Sequence, residues 1–266
     1  MATRLYFTNK PDSTTDYFPV AYVPAYDAAW GDTDTVYRCF LSTTTFDGPT
    51  GGVTKTNTKA FSGAQNVLIM QAILPGVRAQ TISGNLKGIL RCHEANAAAD
   101  MSTQMVVRVY DPVTQTFRGT LLAAHSYAIS GTPGAQGYEL ATVTTQRKWP
   151  SGYTGSGDAL SSVDAEDGDW IVVELGVRGT EASATGRAAN IGYYGLYSAS
   201  DAAEDETTVT TTLNSWLEFS QTLTLGGTLV PFHTSATDGE GLSFLPMRTE
   251  SRVTEGQLWP RGERTI

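Results

Sequence analysis

The chain has few cysteines, few histidines and little charge, and each shortage argues against a class of protein. Its 266 residues include two cysteines, three histidines and 17% charged residues. Cys39 and Cys92 each fall on the apolar parity of a predicted strand. That position favours buried thiols over a disulfide, although a bridge between them stays open. The three histidines are far apart, and none has the H-E-x-x-H spacing of a zinc enzyme.

Familiar catalytic motifs are also missing from the sequence. It contains no G-x-S-x-G nucleophile elbow, no Walker loop and no G-x-G-x-x-G dinucleotide fingerprint. His93 and Glu94 beside Cys92 form the nearest approach to a reactive cluster, and one histidine at a strand end is typical of a surface residue. We therefore expect no enzymatic activity, no metal and no cofactor.

Lysines and long apolar runs are scarce as well. The five lysines are scattered, and the net charge is -9 with a pI near 4.8. Nucleic-acid binding draws on clustered Lys and Arg, so these values argue against a nucleic-acid partner. No run of about 18 apolar residues or secretory signal is present. These absences predict a protein that folds in the cytosol and has no membrane partner.

The sequence is rich instead in threonine and in strands of alternating polarity. Threonine makes up about one residue in seven and suits a pleated, half-exposed surface. Residues 104–110 and 169–178 alternate apolar and polar side chains, which is typical of strands with one face in a core and the other toward water. We predict an all-β fold, a jelly-roll-like antiparallel β-sandwich. The residues predicted to point between its two sheets are Val107, Ile171, Val173, Leu175, Leu217 and Phe219.

Strand and turn signals divide the chain into a core and two arms. Predicted core strands cover residues 66–74, 80–92, 104–110, 116–123, 137–145, 169–178, 190–197 and 215–225. We therefore predict a β-sandwich core at 61–230, an N-terminal extended arm at 1–60 with one or two strands, and a C-terminal extended arm at 231–266. In the first arm only 35–42 has a firm strand pattern. Residues 1–30 and 231–266 have few periodic apolar residues, so we expect them to contact other subunits and to contribute more to assembly than to folding.

Two parts of the sequence could form a binding site. The acidic turn at 164–169 has the clustered carboxylates and glycine that calcium requires, but it lacks EF-hand spacing, so a polar turn is the favoured interpretation and calcium stays open. Aromatic side chains can stack on sugar rings. Trp149 and Tyr153 in a Gly-rich loop, with Tyr193 and Tyr194 on a strand, are candidates for contact with a glycan or another subunit. The acidic stretch 201–206 is predicted to be a solvated loop.

Several stretches of the chain resemble a group of tailed-bacteriophage and prophage virion proteins. The resemblance lies in RLYF at 4–7, in QTISG at 80–84 with the stretch to Arg91, in EAN at 94–96, VVRV at 106–109 and RGTLL at 118–122, and in GDWIVVELGVR at 168–178, DETT at 205–208 and WLEFS at 216–220. It covers roughly residues 1–220 in patches. The resemblance implies a structural role in the particle, most often near the tail, and it implies no catalytic residues.

The sequence and the resemblance together predict a non-enzymatic structural component of a tailed-phage virion. We expect it to be tail-associated and to assemble as repeated subunits, in contact with copies of itself and other virion proteins. A capsid-surface decoration protein is an alternative, and a carbohydrate-binding module that contacts a host-surface glycan is another. Its expected location is the virion, after synthesis in the host cytoplasm.

Overall fold

The fold of the described residues is all-β. The computed structural model describes residues 2–7, 24–33, 36–45, 53–61, 65–94, 101–124, 145–149, 157–179, 183–193, 201 and 214–226, and at 53–61, 91–94, 145–149 and 183–193 it describes the backbone alone. The strands are β1 (Thr3–Phe7), β2 (Tyr37–Ser42), β3 (Val53–Phe61), β4 (Gln65–Val77), β5 (Gln80–Ile82), β6 (Asn85–Glu94), β7 (Met101–Asp111), β8 (Thr116–Leu122), β9 (Thr145–Trp149), β10 (Asp158–Ala159), β11 (Val163–Ala165), β12 (Asp169–Gly179), β13 (Ser183–Tyr193) and β14 (Trp216–Phe219). Within these ranges, no helix is long and apolar enough to cross a membrane.

Twelve of the strands form one large sheet. Its order is β3-β13-β6-β14-β1-β2-β4-β12-β7-β8, with β9 and β10 also paired to β6, while β5 and β11 form a separate pair. Neighbours are antiparallel except β2 and β4, which are parallel. The sheet curls nearly into a barrel. The all-β class is thus confirmed, whereas the jelly-roll sandwich stays a prediction.

Strand β1 joins two halves of this sheet. On one side, β3, β13, β6 and β14 reach β1 through the pairs Thr3↔Phe219 to Tyr6↔Trp216. On the other side, β1 meets β2 through two pairs only, Tyr6↔Ser42 and Phe7↔Leu41. The strands β4, β12, β7 and β8 then follow β2. Five residues of β1 therefore connect the two halves.

The main core lies on the inner faces of both halves. All six residues predicted to be internal belong to it and are fully buried: Val107, Ile171, Val173, Leu175, Leu217 and Phe219. Leu5 and Phe7 of β1 join the same cluster, at 0% and 1% exposure. The period-two pattern thus identified the inner face correctly.

The outer face of the central strands is also covered, which corrects the expectation that it meets water. Every residue of β7 is buried, including the polar Gln104 and Arg108. A second apolar cluster lies on this outer face and combines Leu68 and Val106 with Trp30 and Val36. We call residues 24–33 the cover segment, because this part of the chain packs over β4, β12 and β7.

The described part of the predicted N-terminal arm belongs to the sheet and its cover. Leu5 and Phe7 lie in the main core, and Trp30 is 7% exposed. Residues 3–7 and 24–30 therefore contribute to the fold itself. That residues 1–30 also contact other subunits and contribute more to assembly than to folding stays a prediction. The arm has few periodic apolar residues because its contacts are made with strands distant in sequence. Residues 231–266 lie outside the described part of the chain.

Two glycines explain local departures from the predicted strands. The predicted strand 80–92 is broken into β5 and β6 at Gly84, whose φ of +89° is one that other residues rarely adopt. Gly176 lies at a register shift in β12, where a Cβ would be 2.0 Å from the Val67 carbonyl oxygen and 2.8 Å from Trp30. A side chain there would push both the neighbouring strand and the cover segment away.

The remaining sequence predictions have mixed outcomes. Cys39 is a buried thiol, as expected, with its sulfur 3.8 Å from that of Met70. The side chain of Cys92 lies outside the described residues, as does most of the predicted strand 137–145. Strands β1, β3 and most of β9 and β13 were not predicted, and β14 ends at Phe219, well before residue 225.

Shortening a core side chain in β12 should destabilise the fold. Leu175 is 0% exposed, so Leu175→Ala should lower the free energy of unfolding by about 2–5 kcal/mol. Val113 is 62% exposed, so Val113→Ala as a control should change it by less than about 0.5 kcal/mol. Urea denaturation measures both. A loss below about 1 kcal/mol for Leu175→Ala would mean that the inner face is assigned wrongly.

Candidate functional site

The predicted aromatic platform is only partly within the described residues. Trp149 ends β9 and pairs with Gly88 of β6, and Tyr193 ends β13 and pairs with Val53 of β3. Because their registers overlap along 91–92, β9 and β13 lie on opposite edges of β6. Their backbones are thus two strand spacings apart, about 10 Å. The side chains of Trp149 and Tyr193, and all of Tyr153 and Tyr194, lie outside the described residues, so glycan or subunit contact there stays a prediction.

The acidic turn at 164–169 surrounds an arginine. The Arg118 guanidinium donates to Asp169 Oδ2 at 2.5 Å, to Asp111 Oδ2 at 3.0 Å and to Glu166 Oε2 at 3.0 Å. Asp169 Oδ2 also accepts the Glu166 amide at 2.7 Å. The guanidinium therefore supplies the positive charge that these three carboxylates require. Among the described residues, no group of three or more His, Cys, Asp or Glu is arranged to hold a metal.

The other two carboxylates of this turn are also hydrogen-bonded within the fold. Asp164 Oδ1 accepts the Thr81 hydroxyl at 2.6 Å, and Asp167 Oδ1 accepts the Ala79 amide at 2.9 Å. Both bonds connect the turn to the region of β5. The described geometry supports a structural turn that joins β12, β8 and β5.

Asp111 and Arg118 stabilise each other's charged forms. Burial alone would raise the pKa of Asp111, but hydrogen bonds from Val113 and Thr114, together with the charge of Arg118, outweigh it and hold that pKa below its usual value. The hydrogen bond to Asp169 raises the pKa of Arg118, and the neighbouring carboxylates add to this effect. The cluster is therefore strongest when Asp111 is ionised.

Acid should weaken the Arg118 cluster. A carboxyl group whose pKa is lowered by folding stabilises the fold above its unfolded pKa, and this contribution is lost as the pH falls through the folded value. Asp111→Asn should therefore lower the free energy of unfolding by about 1 kcal/mol at pH 7 and by much less below about pH 3. Denaturation curves at several pH values measure the difference. A deficit that is the same at all pH values would contradict this role of the Asp111 charge.

A second charged cluster is buried beneath the cover segment. Glu174 of β12 is 0% exposed and accepts four hydrogen bonds. Its Oε1 accepts from Arg108 at 2.5 Å and from Gln71 at 3.1 Å. Its Oε2 accepts from the Trp30 indole at 2.7 Å and from the Asp27 amide at 3.1 Å. Two of the four donors thus come from the sheet and two from the cover segment.

The cover segment also accepts hydrogen bonds from the same two sheet residues. Arg108 Nη2 donates to the Ala25 carbonyl at 2.6 Å, and Gln71 Nε2 donates to the Pro24 carbonyl at 3.1 Å. The Arg108 guanidinium lies 3.6 Å from the centre of the Phe117 ring, which adds a cation–π contact. The network therefore fixes the cover segment to three adjacent strands at one point.

A third charged cluster surrounds β1. Arg4 donates through Nε and Nη2 to Glu218 Oε2, at 3.0 and 2.7 Å, and through Nη1 to Asp201 Oδ2 at 2.7 Å. The Tyr6 hydroxyl donates to Asp201 Oδ2 at 2.9 Å. Burial, and then this hydrogen bond, raises the pKa of Tyr6 to about 12. The expectation of a solvated loop at 201–206 is thus wrong for Asp201, which anchors β1.

The surface beside β1 is shallow and already lined by paired charges. A cavity of about 220 Å³ is lined by Ala2, Lys87, Glu218 and Ser220. Lys87 Nζ lies 3.5 Å from Glu218 Oε1, and Arg4 lies 4.0 Å from the centre of the Trp216 ring. Asp201 and Asn214, the two residues that flank 202–213, also form a parallel bridge. The described charged groups beside β1 therefore hold neighbouring segments of the chain together.

Sequence reasoning missed the residues that form the second and third clusters. Each of β7 and β12 carries one charge of opposite sign inside an apolar run, Arg108 in the first and Glu174 in the second. That pattern could have indicated a buried pair between adjacent strands. No local signal points to Arg4 and Glu218, which are 214 positions apart.

Comparisons with known proteins do not extend this picture. No protein-family model matches the chain, and no curated protein or solved structure matches it.

Removing the charge of Glu174 should destabilise the fold strongly. Glu174→Gln removes the carboxylate 2.5 Å from the buried Arg108 guanidinium and leaves Arg108 only the more distant carboxylate of Asp27, at 3.7 Å. We therefore expect the free energy of unfolding to fall by about 3–5 kcal/mol. Glu166, whose side chain is 72% exposed, also bonds an arginine, so Glu166→Gln is the matched control and should cost less than about 1 kcal/mol. Equal effects of the two substitutions in urea denaturation would contradict the special role of Glu174.

Proposed function

We propose that the chain is a structural, non-enzymatic component of a tailed-phage virion, tail-associated and assembled as repeated subunits. The observation that carries the proposal is the use made of the charged side chains. Arg118, Glu174 and Arg4 each lie at the centre of a cluster that joins separate strands or segments of the fold. Charged side chains that are paired within the fold favour a structural role over ligand binding or catalysis.

Two further features support a repeated building block. Both faces of the central strands β7 and β12 are covered by other parts of the same chain. The net charge of -9 argues against contact with the packaged genome and suits protein partners in the particle. The phage assignment itself comes from the resemblance to virion proteins, which lies in separate patches between residues 4 and 220.

Mass spectrometry of purified particles tests the proposal. Particles from the bacterium whose phage or prophage encodes the chain should contain it, in amounts that stay constant relative to a major capsid protein through successive purifications. Host proteins of similar abundance in the lysate are the control, because they should be depleted at each step. Absence of the chain from intact particles would overturn the proposal.

The copy number decides between the two virion locations. We expect a few to a few dozen copies in each particle, as for a tail-associated ring or fibre. Hundreds of copies would instead identify the chain as a capsid-surface decoration protein. Labelled intensity relative to a capsid protein of known copy number gives this ratio.

A further inference from the structure

Strand β1 fills a gap in the large sheet, and we call this gap between β14 and β2 the slot. The five residues of β1 lie between β14 and β2, and its partners are distant in sequence. Glu218 and Asp201, which bind Arg4, are 214 and 197 positions away. The next described strand, β2, contributes only the pairs Tyr6↔Ser42 and Phe7↔Leu41, and it begins at Tyr37, 30 positions after Phe7.

The slot recognises β1 through both faces of the strand. Leu5 and Phe7 are inserted into the main core and are almost completely buried, with Leu5 directly opposite Leu217. On the other face, Arg4 and Tyr6 bind Asp201. Two buried apolar side chains and the ion pairs of Arg4 thus hold β1 in the sheet. A peptide strand that adds to a sheet edge is recognised by the same kinds of contact. Residues 3–7 therefore supply the described contacts that hold β1 in the slot.

The chain is long enough for β1 to reach another copy. Sixteen residues, 8–23, separate Phe7 from Pro24, where the cover segment begins. Fully extended, this stretch spans about 55 Å. A compact domain of this size has a radius of gyration of about 18 Å. The slot of an adjoining copy is thus within reach.

We propose that β1 is exchanged between copies, so that residues Thr3–Phe7 of one copy fill the slot between β14 and β2 of a second copy. Exchange keeps every contact of β1, so the filled slot has nearly the same free energy in either arrangement. High local concentration in an assembly then favours the exchanged form. In the exchanged form, β1 of a neighbouring copy would connect the two halves of the sheet in each copy. The inference goes beyond the virion role and holds wherever copies of the chain meet.

Cysteine pairing between two different variants tests the exchange. Arg4 and Glu218 are register partners, so their Cα atoms are within reach of a disulfide. Chains with Arg4→Cys and chains with Glu218→Cys, both also carrying Cys39→Ala and Cys92→Ala, are unfolded together, refolded at about 10 μM to 1 mM and oxidised. Exchange between copies competes with closure within one chain, for which a tethered segment has an effective concentration in the millimolar range, so the covalent dimer should increase steeply toward 1 mM.

Two controls make the result decisive. Arg4→Cys chains mixed with Val113→Cys chains report random collisions, because Val113 lies at the exposed β7–β8 turn. A single chain with both Arg4→Cys and Glu218→Cys should cross-link within itself at low concentration, which verifies the geometry. If that chain cross-links internally while the mixture never exceeds the collision control, β1 is not exchanged and the proposal is wrong.

A peptide provides a second measurement that does not depend on cysteines. A fluorescent peptide of residues 2–8 should bind the chain that lacks residues 1–7 or, if that chain is unfolded, restore its β-sheet circular dichroism. A peptide with Leu5→Asp should bind at least about tenfold more weakly, because it places a charge in the core. Failure of the unmodified peptide either to bind or to restore structure would overturn the proposal. Neither experiment uses virions, so its failure is separate from failure of the proposed function.

Discussion

The architecture depends on one buried carboxylate, that of Glu174, which binds two residues of the sheet and two of the cover segment. A buried charge is costly unless ion pairs and hydrogen bonds compensate it, and Glu174 has both. Trp30 and Asp27 supply half of its hydrogen bonds, so Glu174 keeps all four only when the cover segment is in place. The cover segment thereby closes the outer face of β12 and β7 around Glu174.

Patterns within single strands predicted the inner face well and the outer face poorly. Val173 and Leu175 belong to the main core because alternation fixes which side of a strand is apolar. The same rule assigned Arg108 to water, although it is 6% exposed. Period-two patterns cannot reveal that the polar side is covered by residues 24–33, since this contact depends on chain separated by some eighty positions. Strand β1 was missed for the same reason.

The candidate site shows the same division between local and distant information. A cluster of carboxylates at 164–169 is visible in the sequence, but the Arg118 guanidinium that lies among them belongs to β8, nearly fifty positions earlier. The sequence therefore left calcium open, and the fold supplies an internal cation. Arg118, Arg4 and Arg108 have the same role, because each forms an ion pair that holds distant segments of the chain together.

The cover segment is a fixed part of the fold because Glu174 binds it to the sheet. Native-state hydrogen exchange tests this attachment most directly at the amides of Asp27 and Gly31, which donate to Glu174 and to the Asn66 carbonyl. These amides should exchange only through openings whose free energy approaches that of the β12 amides. Exchange at the rate of an unprotected loop, while the β12 amides stay protected, would contradict the account.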